Sequence, residues 1–181
     1  KDNGTVRRQW IPSGLVIPHI VNNAVHRLRV RRVAHGDGPR YIVVSGSGAA
    51  PLGLGLQEVT TILLVESELD ALLLHQEAGD LAGVVALGSA QAKPDSLTHE
   101  ALRNAALVLV SLDTDDAGAK ASWRFWPATY GEKVKRWPSV KGKDSSEARL
   151  NGLDLRAWVV AGIFGTLERF ERFCIQTVDG G

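Results

Sequence analysis

Three acidic residues stand where their carboxylates could act together. Glu66 follows the apolar run Thr61 to Val65, and Asp113 and Asp115 follow a second run, Ala106 to Leu112. In open parallel α/β sheets, ligands bind beyond the carboxyl ends of the strands. If the two runs are neighbouring strands, Glu66 comes within reach of both aspartates. Converging carboxylates repel one another unless a cation neutralises them. An oxygen-only donor set favours a hard ion, magnesium or manganese, over zinc. Such an ion meets phosphates, activates an oxygen nucleophile or steadies a leaving oxygen. The competing reading is that each acid simply caps a helix, where the electropositive N-terminus favours it.

Other chemistry-bearing residues add less. The segment Lys141-Gly142-Lys143-Asp144-Ser145-Ser146-Glu147 forms a third acidic locus, in which Asp144 taken alone reads as a helix cap. Glu68 and Asp70 fall in the first turn of a helix after Glu66. Glu68 is expected to face solvent, and Asp70 either to support the acidic site or to be exposed. The single cysteine, Cys174, excludes a disulfide framework and a cysteine-built zinc site. It is expected to be a small buried apolar residue beside Phe170 and Phe173. His19, His26, His35, His75 and His99 are scattered without ligand spacing.

The elements that must position these residues divide the chain. Leu15 to Ile20, interrupted by Pro18, suits an edge strand. Asn22 and Asn23 suit a hairpin turn. Val25 to Val33 reads as a strand with Leu28 and Val30 on one face and Arg27, Arg29 and Arg31 on the other. Tyr41 to Val44 is a third strand, and Ser45 to Gly55, with four glycines and a proline, reads as a loop. From residue 61 the pattern becomes strand, helix, strand, helix. Thr61 to Val65, Val84 to Leu87 and Ala106 to Leu112 are buried strands, and Lys133 to Arg136 is a weak fourth. Helices are expected over Glu68–Glu77, with Leu69, Leu72 and Leu73 on one face, and over Asp95–Asn104. Ala117 to Tyr130 is expected to start as a helix, with Pro127 limiting its end. Further helices are expected over Ser145–Leu150, Leu153–Ala161 and Thr166–Cys174. The alternation predicts a parallel sheet flanked by helices, preceded by a small β-rich basic subdomain. The expected division is 1–57, 58–150 and a C-terminal helical segment, 151–181. Trp123 and Trp126 are expected in the core, and Trp10, Trp137 and Trp158 likewise.

Composition supports a folded chain and reveals a charge split. The 181 residues are 44% hydrophobic and 23% charged, which excludes a disordered chain. No apolar run reaches the roughly 18 residues of a membrane helix, and the N-terminus lacks a signal-peptide core. The expectation is a cytoplasmic protein without membrane contact. With no methionine at all, the chain is expected to be a segment of a longer protein. The net charge of +1 conceals eight Lys/Arg against two acids in residues 1–57, and thirteen against eighteen in residues 58–181. The halves therefore carry +6 and −5. A basic half suits phosphates, and an acidic half suits metal.

The ordered set LLVESELDALLL, VVALGSA and LVLVSLDTDDAGAKA resembles a Toprim domain, which pairs a glutamate after its first strand with a DxD after a later one. Within that superfamily it is most similar to bacterial-type, phage and plasmid DNA primases. GKDSSEARL resembles the G-K-D-x-x-E element downstream of their DxD, and GLVIPHI, HRLRVRRV and GPRYIVVSGS resemble the basic subdomain upstream. The first motif departs from the pattern by carrying Ser67 where glycine is usual.

The resemblance implies metal-assisted synthesis of RNA primers on single-stranded DNA. It implies Glu66, Asp113 and Asp115 as catalytic residues and, with Asp144, as ligands of Mg²⁺ or Mn²⁺. Gly88 would sit in the tight turn after the second strand. Arg27, Arg29, Arg31 and Arg40 would track the template, with Arg7, Arg8 and Arg32 extending the track. Lys93 and Lys120 are candidates for the phosphates of ribonucleoside triphosphates, although each also reads as a surface residue. A replicative helicase would be a partner through the parent protein. Two alternatives use the same residues. One is a Toprim nuclease or a topoisomerase-like enzyme, for which only Tyr41 and Tyr130 could be nucleophiles and neither has a supporting motif. The other is a non-catalytic DNA-binding module of a replication or mobile-element protein.

Overall fold

The computed structural model describes residues 8–21, 23–34, 36–57, 59–89, 92–112 and 117–165, without the side chains of 117–122. The chain divides into two compact units, Lys1–Ala50 and Pro51–Gly181.

The first unit is an antiparallel sheet of β1 (Gly14–Val21), β2 (Ala24–Arg32) and β3 (Tyr41–Val43), in that order. β1 lies at an edge, as Pro18 requires of a strand that lacks one backbone donor. Asn23 takes φ 62 in the β1–β2 turn, a conformation asparagine tolerates better than most residues. Pairing places Ile17 opposite Arg29, His19 opposite Arg27 and Arg31 opposite Tyr41, so the three arginines share a sheet face.

The second unit carries a five-stranded sheet ordered β4-β6-β5-β7-β8. It comprises β4 (Leu52–Leu54), β5 (Thr61–Val65), β6 (Gly83–Ala86), β7 (Leu107–Ser111) and β8 (Val134–Arg136). All pairings are parallel except β4 with β6. β5 is buried at every position because both sheet faces are covered. On one face Leu63, Val65, Val84, Ala86 and Leu109 pack against α1 (Glu68–Ala78) and α5 (Leu155–Phe164). On the other, Ile62, Leu64, Val85, Val108 and Val110 pack against α2 (Ser96–Asn104) and α3 (Ala117–Tyr130). Each fully buried Leu, Ile or Val contributes about 1.5–3 kcal/mol. A short α4 (Ser145–Leu150) precedes α5. Trp126, Trp137 and Trp158 lie in or against this core, as expected.

Several expectations are corrected. The glycine-rich stretch expected to be loop contains β4. Leu52 and Leu54 flank Gly53, and pairing with β6 covers an edge that would otherwise be open. α3 continues through Pro127 to Tyr130, and the Tyr130 and Trp126 rings stack at 6.1 Å within the core. That packing outweighs the one helical hydrogen bond proline omits. On α1 the buried stripe is Ala71, Leu74 and Ala78, with Leu72 exposed. Glu68, expected in solvent, is only 3% exposed because it lies on the same stripe, three residues before Ala71. Trp10, expected in the core, is exposed. The helix expected over Thr166–Cys174 lies outside the described residues.

Candidate functional site

The arrangement of the candidate site begins with strand register. β5 and β7 pair in parallel with Val65 opposite Ser111. Glu66 therefore leaves the sheet beside Leu112, where the chain passes toward Asp113. Asp113 and Asp115 lie outside the described residues, so the description covers the strand that delivers them and not the carboxylates. The neighbouring-strand expectation is met in the backbone.

β6 flanks the other side of β5 and is stitched to the same end. The Leu87 N–H donates to the Val65 carbonyl at 3.1 Å, and the Gly88 N–H donates to the Glu66 carbonyl at 2.8 Å. Gly88 has φ 87, a left-handed conformation that disfavours any side chain, which accounts for glycine in this turn. Glu66 itself is half-buried.

Ser67, the departure from the motif, is the N-cap of α1. It has extended backbone at φ −100, so glycine is not needed there, and its hydroxyl accepts the Asp70 N–H at 3.2 Å. The same hydroxyl donates to Asp70 Oδ2. Asp70 Oδ1 accepts both the Ser146 N–H at 2.9 Å and the Ser146 hydroxyl at 2.7 Å. Asp70 is 6% exposed, so these donors are what offset the cost of burying its charge.

Asp144 opens the next segment. Its Oδ1 accepts the Glu147 N–H at 2.7 Å, making it the N-cap of α4, and Glu147 Oε2 in return accepts the Lys143 N–H at 3.0 Å. A Cβ on Gly142 would come within 2.9 Å of the Ala148 nitrogen and the Glu147 side chain, so the turn into the cap closes only with glycine. The cap reading of Asp144 is therefore realised, and it engages one of two carboxylate oxygens.

The donor set suits a hard cation. Glu66, Asp113, Asp115 and Asp144 offer oxygen alone, and the one described histidine nearby in sequence, His75, belongs to α1 beyond its middle. Among the described residues no three potential ligands cluster, and Asp113 and Asp115 fall outside them. Asp70 is not one of the available donors, because three hydrogen bonds occupy its oxygens.

The basic candidates differ among themselves. Arg27 is 8% exposed, and its Nη1 donates to the Ala50 carbonyl at 2.9 Å. It is thus a buried clamp of the first unit rather than part of an open face. Arg29 is half-buried, with its guanidinium 4.5 Å from the Tyr41 ring centre, a cation–π contact. Arg31 is half-buried and Arg40 is exposed in the turn before β3. Arg32 donates to the Pro39 carbonyl at 3.3 Å, and Arg7 lies outside the described residues. In the second unit, exposed Lys93 sits 3.6 Å from the Phe125 ring centre, and Lys120 lies on α3 with its side chain outside the description. Tyr130 is buried and bonded to His99 Nδ1 at 2.8 Å, and burial pushes its hydroxyl above the usual tyrosine range.

Residues missed as partners in the sequence are Ser67 and Ser146. Ser67 carried a signal, a cap residue three before Asp70. Ser146 carried none, since its partner stands 76 positions away.

The second unit is a mostly parallel sheet with helices on both faces, in which Glu66 follows β5 and, in the sequence, Asp113 and Asp115 follow β7. Residues 63–148 match the Toprim-like family model, and the fold of this part of the chain is of the Toprim type. No curated protein matches the sequence. Among solved structures, the zinc-binding and RNA polymerase domains of the Aquifex aeolicus primase align at 26% identity and a TM-score of 0.50, over 80% of this chain and 36% of that one. A DNA primase domain from Pseudomonas aeruginosa aligns at 22% identity and a TM-score of 0.59, over 81% and 50%. The primase fragment of the bacteriophage T7 primase-helicase protein aligns at 16% identity and a TM-score of 0.52, over 82% and 62%. The chain thus spans between about a third and two thirds of the primase structures it resembles.

Proposed function

We propose that this chain is part of the nucleotidyl-transferring core of a DNA primase, joining ribonucleotides on a single-stranded DNA template. The observation that carries the reading is the parallel register of β5 and β7. It brings the backbone after Glu66 beside the strand leading to Asp113 and Asp115, within a domain similar to primase cores.

In this reading Glu66, Asp113, Asp115 and Asp144 would hold magnesium or manganese. Such an ion would supply a lowered proton affinity for a primer 3′-hydroxyl and charge stabilisation for the departing pyrophosphate. The chain's own contribution is placement. Gly88 and Leu87 fix the backbone at Glu66, and the Asp144 cap fixes the turn that carries the fourth acid. Arg29, Arg31 and Arg40 supply positive charge for the template backbone. Lys93 and Lys120 are candidates for the triphosphate. A helicase partner follows only by analogy with the T7 primase-helicase protein.

A topoisomerase-like reaction is disfavoured by its missing nucleophile. Tyr130 is buried against His99 and Trp126, and Tyr41 is engaged by Arg29. The deciding experiment is primer synthesis on single-stranded DNA with ribonucleotides and Mg²⁺ or Mn²⁺, alongside calorimetric titration of the metal. Metal binding with primer synthesis, both lost in Asp113→Ala, is the expected result. Metal-dependent cleavage of DNA without extension would replace this reading with a nuclease, and absence of metal binding would leave a DNA-binding module.

A further inference from the structure

We propose that Asp70 is a positioning residue of the acidic centre, holding the turn that carries Glu66 and the turn that carries Asp144 in fixed register. The inference rests on the reading of those two acids as members of one site.

The geometry is that of a strap between two segments. On one side Asp70 Oδ2 takes the hydroxyl of Ser67, the residue next to Glu66. On the other, Oδ1 takes the N–H and the hydroxyl of Ser146, two residues after Asp144. The two segments are 76 positions apart, so no local element sets their spacing. A second polar link between α1 and α4 is the Arg149–Glu77 ion pair at 3.6 Å, half-exposed on the arginine side. A pair of that kind contributes little and fixes no geometry.

α1 is capped by Ser67, and α4 by Asp144 through the Glu147 N–H. Asp70 takes a further first-turn amide of α4, that of Ser146, and so supplements that cap from another helix. Its carboxylate thereby joins the turn after Glu66 to the turn after Asp144. With three of its roughly four lone-pair sites taken by donors from the two turns, the carboxylate acts on its neighbours rather than on a ligand. Groups that orient metal ligands in this way typically change metal affinity by about 10- to 100-fold when removed.

The experiment compares wild type, Asp70→Ala, Asp70→Asn, Ser146→Ala and the double variant Asp70→Ala/Ser146→Ala. Mn²⁺ affinity is read by calorimetry, and folding by circular dichroism and thermal midpoint in EDTA. Asp70→Ala is expected to weaken Mn²⁺ binding by about tenfold or more. Asp70→Asn is expected to stay within a few fold of wild type, since its amide oxygen still accepts from Ser146 and its amide nitrogen can donate to Ser67. The double variant is expected to be no worse than Asp70→Ala, because both changes cut one link. Wild-type affinity in folded Asp70→Ala overturns the proposal. So does equal loss in Asp70→Asn and Asp70→Ala, which would make the negative charge itself the requirement. If Asp70→Ala does not fold, Ser146→Ala decides, and wild-type affinity there overturns the proposal. Absence of Mn²⁺ binding by the wild type removes the acidic-centre reading and this inference with it. Binding that is indifferent to these variants removes only the strap.

Discussion

The Gly88 N–H donates to the Glu66 carbonyl at 2.8 Å, so the turn after β6 fixes the backbone of the acid that ends β5. Gly88 takes a left-handed conformation at φ 87 in that turn. A residue suited to backbone freedom thereby anchors the backbone at Glu66.

Gly88→Ala is expected to cost about 1–2 kcal/mol through that conformation, and to weaken metal binding by displacing Glu66. Thermal unfolding and metal titration of the same sample check both effects. An unchanged melting temperature would show that the turn tolerates a side chain.

Asp144 has two separable roles, and two substitutions divide them. Asp144→Ala should cost about 1 kcal/mol of stability by removing the cap of α4. Asp144→Asn keeps an acceptor for the Glu147 N–H and should lose only a few tenths of that. If Asp144 also holds metal, Asp144→Asn will weaken Mn²⁺ binding while leaving stability nearly intact.

The arginines of β2 should separate in a salt-dependent DNA-binding assay. Arg29→Ala and Arg31→Ala are expected to weaken single-stranded DNA binding and to lower the slope of log affinity against log salt by about 0.7 each. Arg27→Ala is expected instead to lower stability, since it leaves the Ala50 carbonyl without this donor. Equal salt slopes for all three variants would refute the distinction.

Tyr130 predicts an alkaline limit. Burial raises its pKa, so the folded state holds the proton more tightly than the unfolded chain does. Its contribution is complete below the ordinary tyrosine value of about 10 and is lost as pH rises through the higher folded value. Stability should therefore fall above about pH 10, and Tyr130→Phe should flatten that fall while losing the bond to His99. Denaturant melts between neutral pH and pH 11 provide the measurement.

The second unit's core is the most direct target. Trp126→Ala is expected to cost about 3–5 kcal/mol, because the side chain is 1% exposed and stacked on Tyr130. Guanidinium unfolding of the two proteins gives the difference.

Much of this was legible in the sequence where chemistry and pattern coincide. The continuous apolar run of β5 announced a strand covered on both faces, and its acid at the end announced a ligand-facing edge. What stayed hidden was tertiary. Glu68 read as a solvent-facing acid, and Asp70 stayed open between supporting the acidic site and exposure, because their burial depends on the stripe through Ala71 and on Ser146, distant in the chain. β4 was concealed by glycines that read as loop, since what makes it a strand is the open edge of β6. Pro127 read as a terminator because the stacking that carries the helix past it is invisible to propensity.

The parallel pairing of β5 with β7 also bears on how the centre is assembled in time. α1, β6 and α2 intervene in the chain, so the ends of β5 and β7 meet only after a long loop has closed. The proposed acidic centre would therefore form together with the sheet and not as a local motif. Any ligand held there binds the finished sheet and not its precursors, so it raises the free energy of opening the whole second unit. In amide hydrogen exchange, a bound cation would slow β5, β6 and β7 together, although only their last residues lie near it.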